Sequence, residues 1–164
     1  EIHHINLSGI ILAKTGEGIT LQTDFRRIGS THITDVNVTG VIGDEVGSPI
    51  QMFADNNKIE RVTFSDFRSN CMNKVYIEAK QDHISDLVFR NVDIYDKTAD
   101  FPLPETADAE RGENVMIISG VKRLVLDSVR VFGNDDRRCN RKDEAVIFNS
   151  SVLKNDICFI SERE

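Results

Sequence analysis

Asp24 and Asp55 each stand just past a short run in which apolar and polar residues alternate. Two carboxylates held roughly 5 Å apart are what a retaining glycosidase uses, one as nucleophile and one as acid and base. If the runs repeat, the next equivalent place is Lys80, so charge compensation is the competing use. Turn shaping by the aspartates is a third. The runs themselves carry Thr20 and Gln22, then Gln51 and Phe53, then Tyr76 and Glu78 at the polar places. Sugar hydroxyls need donors and acceptors, and an aromatic face can cover sugar C–H groups. Thr20, Gln22, Gln51, Tyr76 and Glu78 are therefore substrate-binding candidates, set against the plainer reading of a solvated sheet face.

Other reactive types are less suggestive. Asp135 and Asp136 adjoin Arg137 and Arg138, a grouping that reads as a local ion-pair network. His32 and His83 each precede a strand-like run, with Lys58 at the equivalent place between them, so a shared metal site is not expected. No phosphate-binding glycine loop, serine-nucleophile elbow or paired metal-ligand motif occurs, and no cofactor is expected. Cys71, Cys139 and Cys158 are too few for a disulfide framework. They read as reduced thiols, with one disulfide and a spare thiol as the alternative.

These residues are positioned by a repeat. Ile2, Ile5, Leu7, Gly9 and Ile10 align with Ile33, Val36, Val38, Gly40 and Val41. Further copies are Ile59, Val62, Phe64, Asp66, Phe67; Ile84, Leu87, Phe89, Asn91, Val92; and Val121, Leu124, Leu126, Ser128, Val129. Counted from Ile2, Ile33, Ile59, Ile84 and Val121, the intervals are 31, 26, 25 and 37 residues. That is a solenoid period. One column reads Gly9, Gly40, Asp66, Asn91, Ser128, types that tolerate a left-handed bend, with Ser128 its weakest member.

A second set of strands follows each bend: Ile19 and Leu21, Ile50 and Met52, Val75 and Ile77, Val115 and Ile117, Ala145 and Ile147 point inward. This alignment leaves Met116, Ile118, Val146 and Phe148 outward as an apolar patch, for which Phe101 or Leu103 is the expected cover and a partner chain the alternative. The expected architecture is all-β: a parallel β-helix of five to six coils forming one domain over 1–164. Five coils stack to roughly 24 Å. Inserted loops are expected over 96–113 and 133–144, and a weaker sixth copy near Ile157 and Phe159. An antiparallel sandwich is disfavoured because neither Asn-Gly nor Asp-Gly occurs.

The chain has 164 residues, 40% hydrophobic and 29% charged, a globular composition. A net charge of −7 argues against nucleic acid and anionic membranes as partners. No run approaches the roughly 18 apolar residues of a membrane span. The chain opens on Glu1 rather than Met, and its first coil starts apolar at Ile2 with no polar cap, so further coils are expected before it.

The text from Ile2 to Leu7, Thr15 to Thr23, Ile33 to Val38 and Ser48-Pro49-Ile50 resembles the pectin-lyase-like right-handed β-helices, and among them the C-terminal coils of polygalacturonase-like glycoside hydrolases. That resemblance implies a right-handed coil, a polysaccharide partner and a secreted or cell-surface location. In the family a similar coil ends in an Arg-Ile-Lys triplet whose basic residues hold the substrate carboxylate. Thr20, Leu21 and Gln22 stand there instead, and the family's catalytic aspartates belong to earlier coils. The expectation is a scaffold and carbohydrate groove without the catalytic centre. The alternative is a non-catalytic surface or tail-spike adhesin; a glycosidase would be monomeric, an adhesin trimeric.

Overall fold

The computed structural model describes residues 1–23, 31–80, 82–97, 115–133, 145–148 and 150–161. Every regular element among them is a β-strand: β1 (Ile2–Thr23), β2 (Ile33–Ala54), β3 (Ile59–Cys71), β4 (Val75–Ala79), β5 (Ile84–Asp96), β6 (Met116–Ser119), β7 (Val121–Gly133), β8 (Ala145–Phe148) and β9 (Val152–Ser161). All pairings are parallel. β1 lies on β2, whose first part continues through β3, β5, β7 and β9 and whose last part continues through β4, β6 and β8. The sheet wraps about 272° round one axis, which makes the chain a parallel β-helix. Each coil after β2 is a pair: β3 with β4, β5 with β6, β7 with β8.

The aligned repeat is the observed register. Ile2, Ile33, Ile59, Ile84 and Val121 are successive Cα partners, as are Leu7, Val38, Phe64, Phe89 and Leu126. These columns fill the bore, where Phe64 and Phe89 stack with centroids 5.4 Å apart. In β1 the inward Ile5, Leu7, Ile10 and Leu12 are half-buried, and Ile2 is exposed.

The bends obey a five-residue beat. The expected column has positive φ throughout: Gly9 65°, Gly40 64°, Asp66 50°, Asn91 52°, Ser128 56°. A second column precedes it by five residues: His4, Asp35, Arg61, Asp86 and Arg123, also at positive φ. Lys14 and Glu45 continue the beat in the first two coils. A left-handed residue turns the strand and resets the alternation by one place. Val36 and Val38 therefore point inward, Gly40 bends, and Val41 points inward again. Gly18 is needed for another reason: a Cβ there would collide with the backbone of Pro49 in the next coil.

One register differs from expectation. Val75 pairs with Met116 and Ile77 with Ile118, so the inward residues of β6 are Met116 and Ile118, both fully buried. Ile117 faces outward. The slip comes after the insertion ahead of β6, and a one-residue slip exchanges the two faces of a strand. The expected apolar patch is thus absent at Met116 and Ile118, and its proposed covers Phe101 and Leu103 lie outside the described residues. The sixth coil starts earlier than expected, at Val152, and brings Ile157 beside Val129 and Phe159 beside Val131. Cys71 is buried, with Sγ 3.9 Å from the Gly47 carbonyl oxygen; Cys139 lies outside the described residues.

Candidate functional site

The ends of β1 and β2 and the short strand β4 gather the expected sugar-binding residues on one outward face. Leu21, Met52 and Ile77 anchor these strands inward. That leaves Thr20, Gln51 and Tyr76 in one outward column and Gln22, Phe53 and Glu78 in the next. Thr20, Gln22 and Glu78 are exposed, while Gln51, Phe53 and Tyr76 are half-buried. The rings of Phe53 and Tyr76 meet at 5.4 Å and 56°. The Tyr76 hydroxyl donates to Glu78 Oε2 at 2.8 Å, which fixes the ring and orients the carboxylate. Ile117 and Ser119 extend the two columns.

At the edge of this strip Lys80 Nζ lies 3.1 Å from Asp55 Oδ1, the charge-compensating arrangement. Asp24 lies outside the described residues, as do Asp135, Asp136, Arg137 and Arg138. The carbonyls of His32, Lys58 and His83 occupy equivalent places, accepting from Ile2, Ile33 and Ile59. The two histidines therefore share a column with Lys58 between them. Among the described residues no group of His, Cys, Asp or Glu is arranged to hold a metal ion, and no helix is long and apolar enough to cross a membrane.

Two charged arrays were not foreseen. The first is the new bend column, where sign alternates along Asp35, Arg61, Asp86 and Arg123. Arg61 donates to both Asp35 carboxylate oxygens, at 2.6 and 2.9 Å, and Arg123 donates to both of Asp86. The Arg61 hydrogen bonds hold the Asp35 carboxyl down to about 2, below its ordinary 3.8. Arg123 lowers Asp86 in the same way, and the carboxylates raise both guanidinium groups. This ladder uses its charges to tie coils together.

The second array borders a cleft of about 300 Å³ beside the Gly40–Asp66–Asn91 corner. Two residues past the bend, Ile42, Arg68, Asp93 and Arg130 are successive outward partners. Asp93 is only 7% exposed, between the two arginines. It accepts from Arg130 Nε at 2.6 Å and from Arg68 Nη2 at 3.4 Å. Arg130 Nη2 donates to Asn91 Oδ1 at 3.0 Å, and Asn91 Nδ2 donates to Asp66 Oδ1 at 2.7 Å. The sequence signal was an Arg-Asp-Arg column one residue beyond the last aligned core position.

Fold and surface together define a parallel β-helix with an aromatic–polar strip on one face and a charged cleft at a bend corner. Comparison with protein-family models, curated proteins and solved structures finds no match for the chain.

Proposed function

We propose that the chain is a carbohydrate-binding β-helical segment, the scaffold and groove of a polysaccharide-acting protein akin to the polygalacturonase-like glycoside hydrolases, working outside the cell. The observation that carries this reading is the Phe53–Tyr76 ring pair, half-buried among Thr20, Gln22, Gln51 and Glu78 on neighbouring coils. Such a surface offers an apolar face for sugar rings and hydroxyl partners on a coil spacing of about 4.8 Å. Thr20 and Gln22 supply no cation for a uronate carboxylate, so the strip suits neutral sugars.

Affinity electrophoresis through gels containing xylan, galactan, mannan, β-glucan or polygalacturonate tests it. At least one neutral polysaccharide should retard the chain, and Tyr76→Ala with Phe53→Ala should abolish the retardation. Unretarded migration in every gel would sink the reading. The chain should release no reducing ends from polygalacturonate; release abolished by Asp55→Asn would assign catalysis to the strip instead.

A second reading, a trimeric adhesin, is favoured by one feature: Ile11 and Ile42 are stacked partners, 79% and 59% exposed. Apolar stacking of this kind suits an interface between chains. Sedimentation equilibrium separates the two, a monomer supporting the first and a trimer the second.

A further inference from the structure

We infer that the cleft formed by Ile42, Asp66, Arg68, Asn91, Asp93 and Arg130 is a second binding site, for a neutral sugar residue recognised through neighbouring hydroxyls. The ligand class rests on the carbohydrate reading above, but the site lies on another face and shares no residue with the Phe53–Tyr76 strip.

Size comes first. About 300 Å³ is at the lower end of ligand pockets, which suits a sugar-sized ligand rather than an extended peptide. Charge comes next. Arg68 and Arg130 are balanced by Asp66 and Asp93, so the cleft holds no surplus positive charge to attract a phosphate or uronate. A balanced set of donors and acceptors is what a pair of adjacent hydroxyls requires, each hydroxyl both donating and accepting.

The network is also preorganised. Asp93 is buried and holds Arg130 by its Nε, and Asn91 takes a further hydrogen bond from the same guanidinium. Arg130 is thereby fixed as part of the cleft lining. Asp66 is engaged by Asn91 through Oδ1, and among the described hydrogen bonds Oδ2 is not used. Arg68, 65% exposed, stands between Ile42 and Asp93 in the same column and also lines the cleft. The pieces thus present arginine donors and a carboxylate acceptor across one small cleft.

An apolar wall completes it. Ile42 keeps 59% of its surface exposed at the cleft margin, an arrangement that leaves it free to cover sugar C–H groups. Two residues beyond Asp93 and Arg130 on the same outward face, Tyr95 and Phe132 stack at 4.7 Å and 10°. That places an aromatic stack roughly 6–7 Å along the strands from the network, the reach of a following sugar ring. Nothing in the strip on the other face provides this combination of arginine, carboxylate and stacked rings.

Amide chemical-shift mapping of the 164-residue chain tests the site, with neutral hexasaccharides of xylose, galactose, mannose and glucose as probes and hexagalacturonate as the acidic control. A neutral hexasaccharide should shift the amides of Gly40, Ile42, Arg68 and Asp93. Arg68→Met should weaken that binding about tenfold, the loss expected for one charge-assisted hydrogen bond. Ile42→Ser should weaken it independently, and Tyr76→Ala should leave the cleft shifts in place. Shifts at Phe53 and Tyr76 alone would overturn the cleft while leaving the carbohydrate reading intact. Cleft shifts with hexagalacturonate alone would overturn the neutral ligand class. Silence at both faces would sink both proposals.

Discussion

A valine at position 40 would have to adopt φ near the 64° that Gly40 holds, a region a β-branched side chain strongly resists. Space is not the obstacle, because a Cβ there would meet Gly9 N at 3.6 Å, an ordinary contact. Gly40→Val should therefore cost about 1–3 kcal/mol through backbone strain alone. Thr39→Val, one residue away on an outward strand position, should cost less. Urea unfolding of the two variants checks it, and coincident curves would remove strain as the reason for glycine. The bend column also explains the other members by type: Asp66 and Asn91 visit this region more readily than most residues. Arg61 and Arg123 do not, and a left-handed L-residue costs roughly 1–2 kcal/mol. Each is held there while its guanidinium grips a carboxylate of the preceding coil.

Between elements, that grip links strands in pairs: β3 to β2 through Arg61 and Asp35, β7 to β5 through Arg123 and Asp86. Both carboxylates are depressed by their arginines, Asp35 to about 2 from 3.8. The folded state thus binds fewer protons than the unfolded chain in the acid range. Its contribution is complete above the ordinary carboxylate range and is lost as pH falls through the depressed values. Melting temperature should accordingly fall between about pH 4 and about pH 2, and Asp35→Asn should flatten part of that slope. These groups are largely exposed, so added salt should also reduce their effect. An Asp35→Asn protein with an unchanged pH profile would show that the ladder does not act in solution. The same sign pattern makes the cleft network: Arg68, Asp93 and Arg130 repeat it on an outward column seven residues further along each strand.

The whole molecule stands on contacts between neighbouring coils, so its cohesion is a chain of interfaces. Phe64 lies in the middle of that chain, stacked on Phe89 and edge-on to Phe67 at 6.2 Å. Phe64→Ala should cost about 3–5 kcal/mol, the usual loss for a buried aromatic. Because the cavity opens between coils, it should also weaken coupling of the two ends, broadening the urea transition. A sharp transition with an unchanged midpoint would argue against stacking as the main source of stability. The same stacking places the strip and the cleft on different faces of one column.

Much of this was legible in residue types because a solenoid repeats itself. Ile2, Ile33, Ile59, Ile84 and Val121 fall into one column of the sequence repeat, and so do the bend residues from Gly9 to Ser128, since stacked coils demand the same type at the same place. The outward strip followed from simple alternation around Leu21, Met52 and Ile77. Tertiary structure alone decided three things. It set the register of β6, because an insertion of variable length precedes it and a single-residue slip buries Met116 in place of Ile117. It revealed the bends at Asp35, Arg61, Asp86 and Arg123, since arginine carries no preference for the left-handed region and is held there by a partner in another coil. And it assembled the cleft: the aligned repeat stacks Ile42, Arg68, Asp93 and Arg130 in one column, but only the folded chain buries Asp93 between the two arginines and joins Arg130 to Asn91 and Asn91 to Asp66.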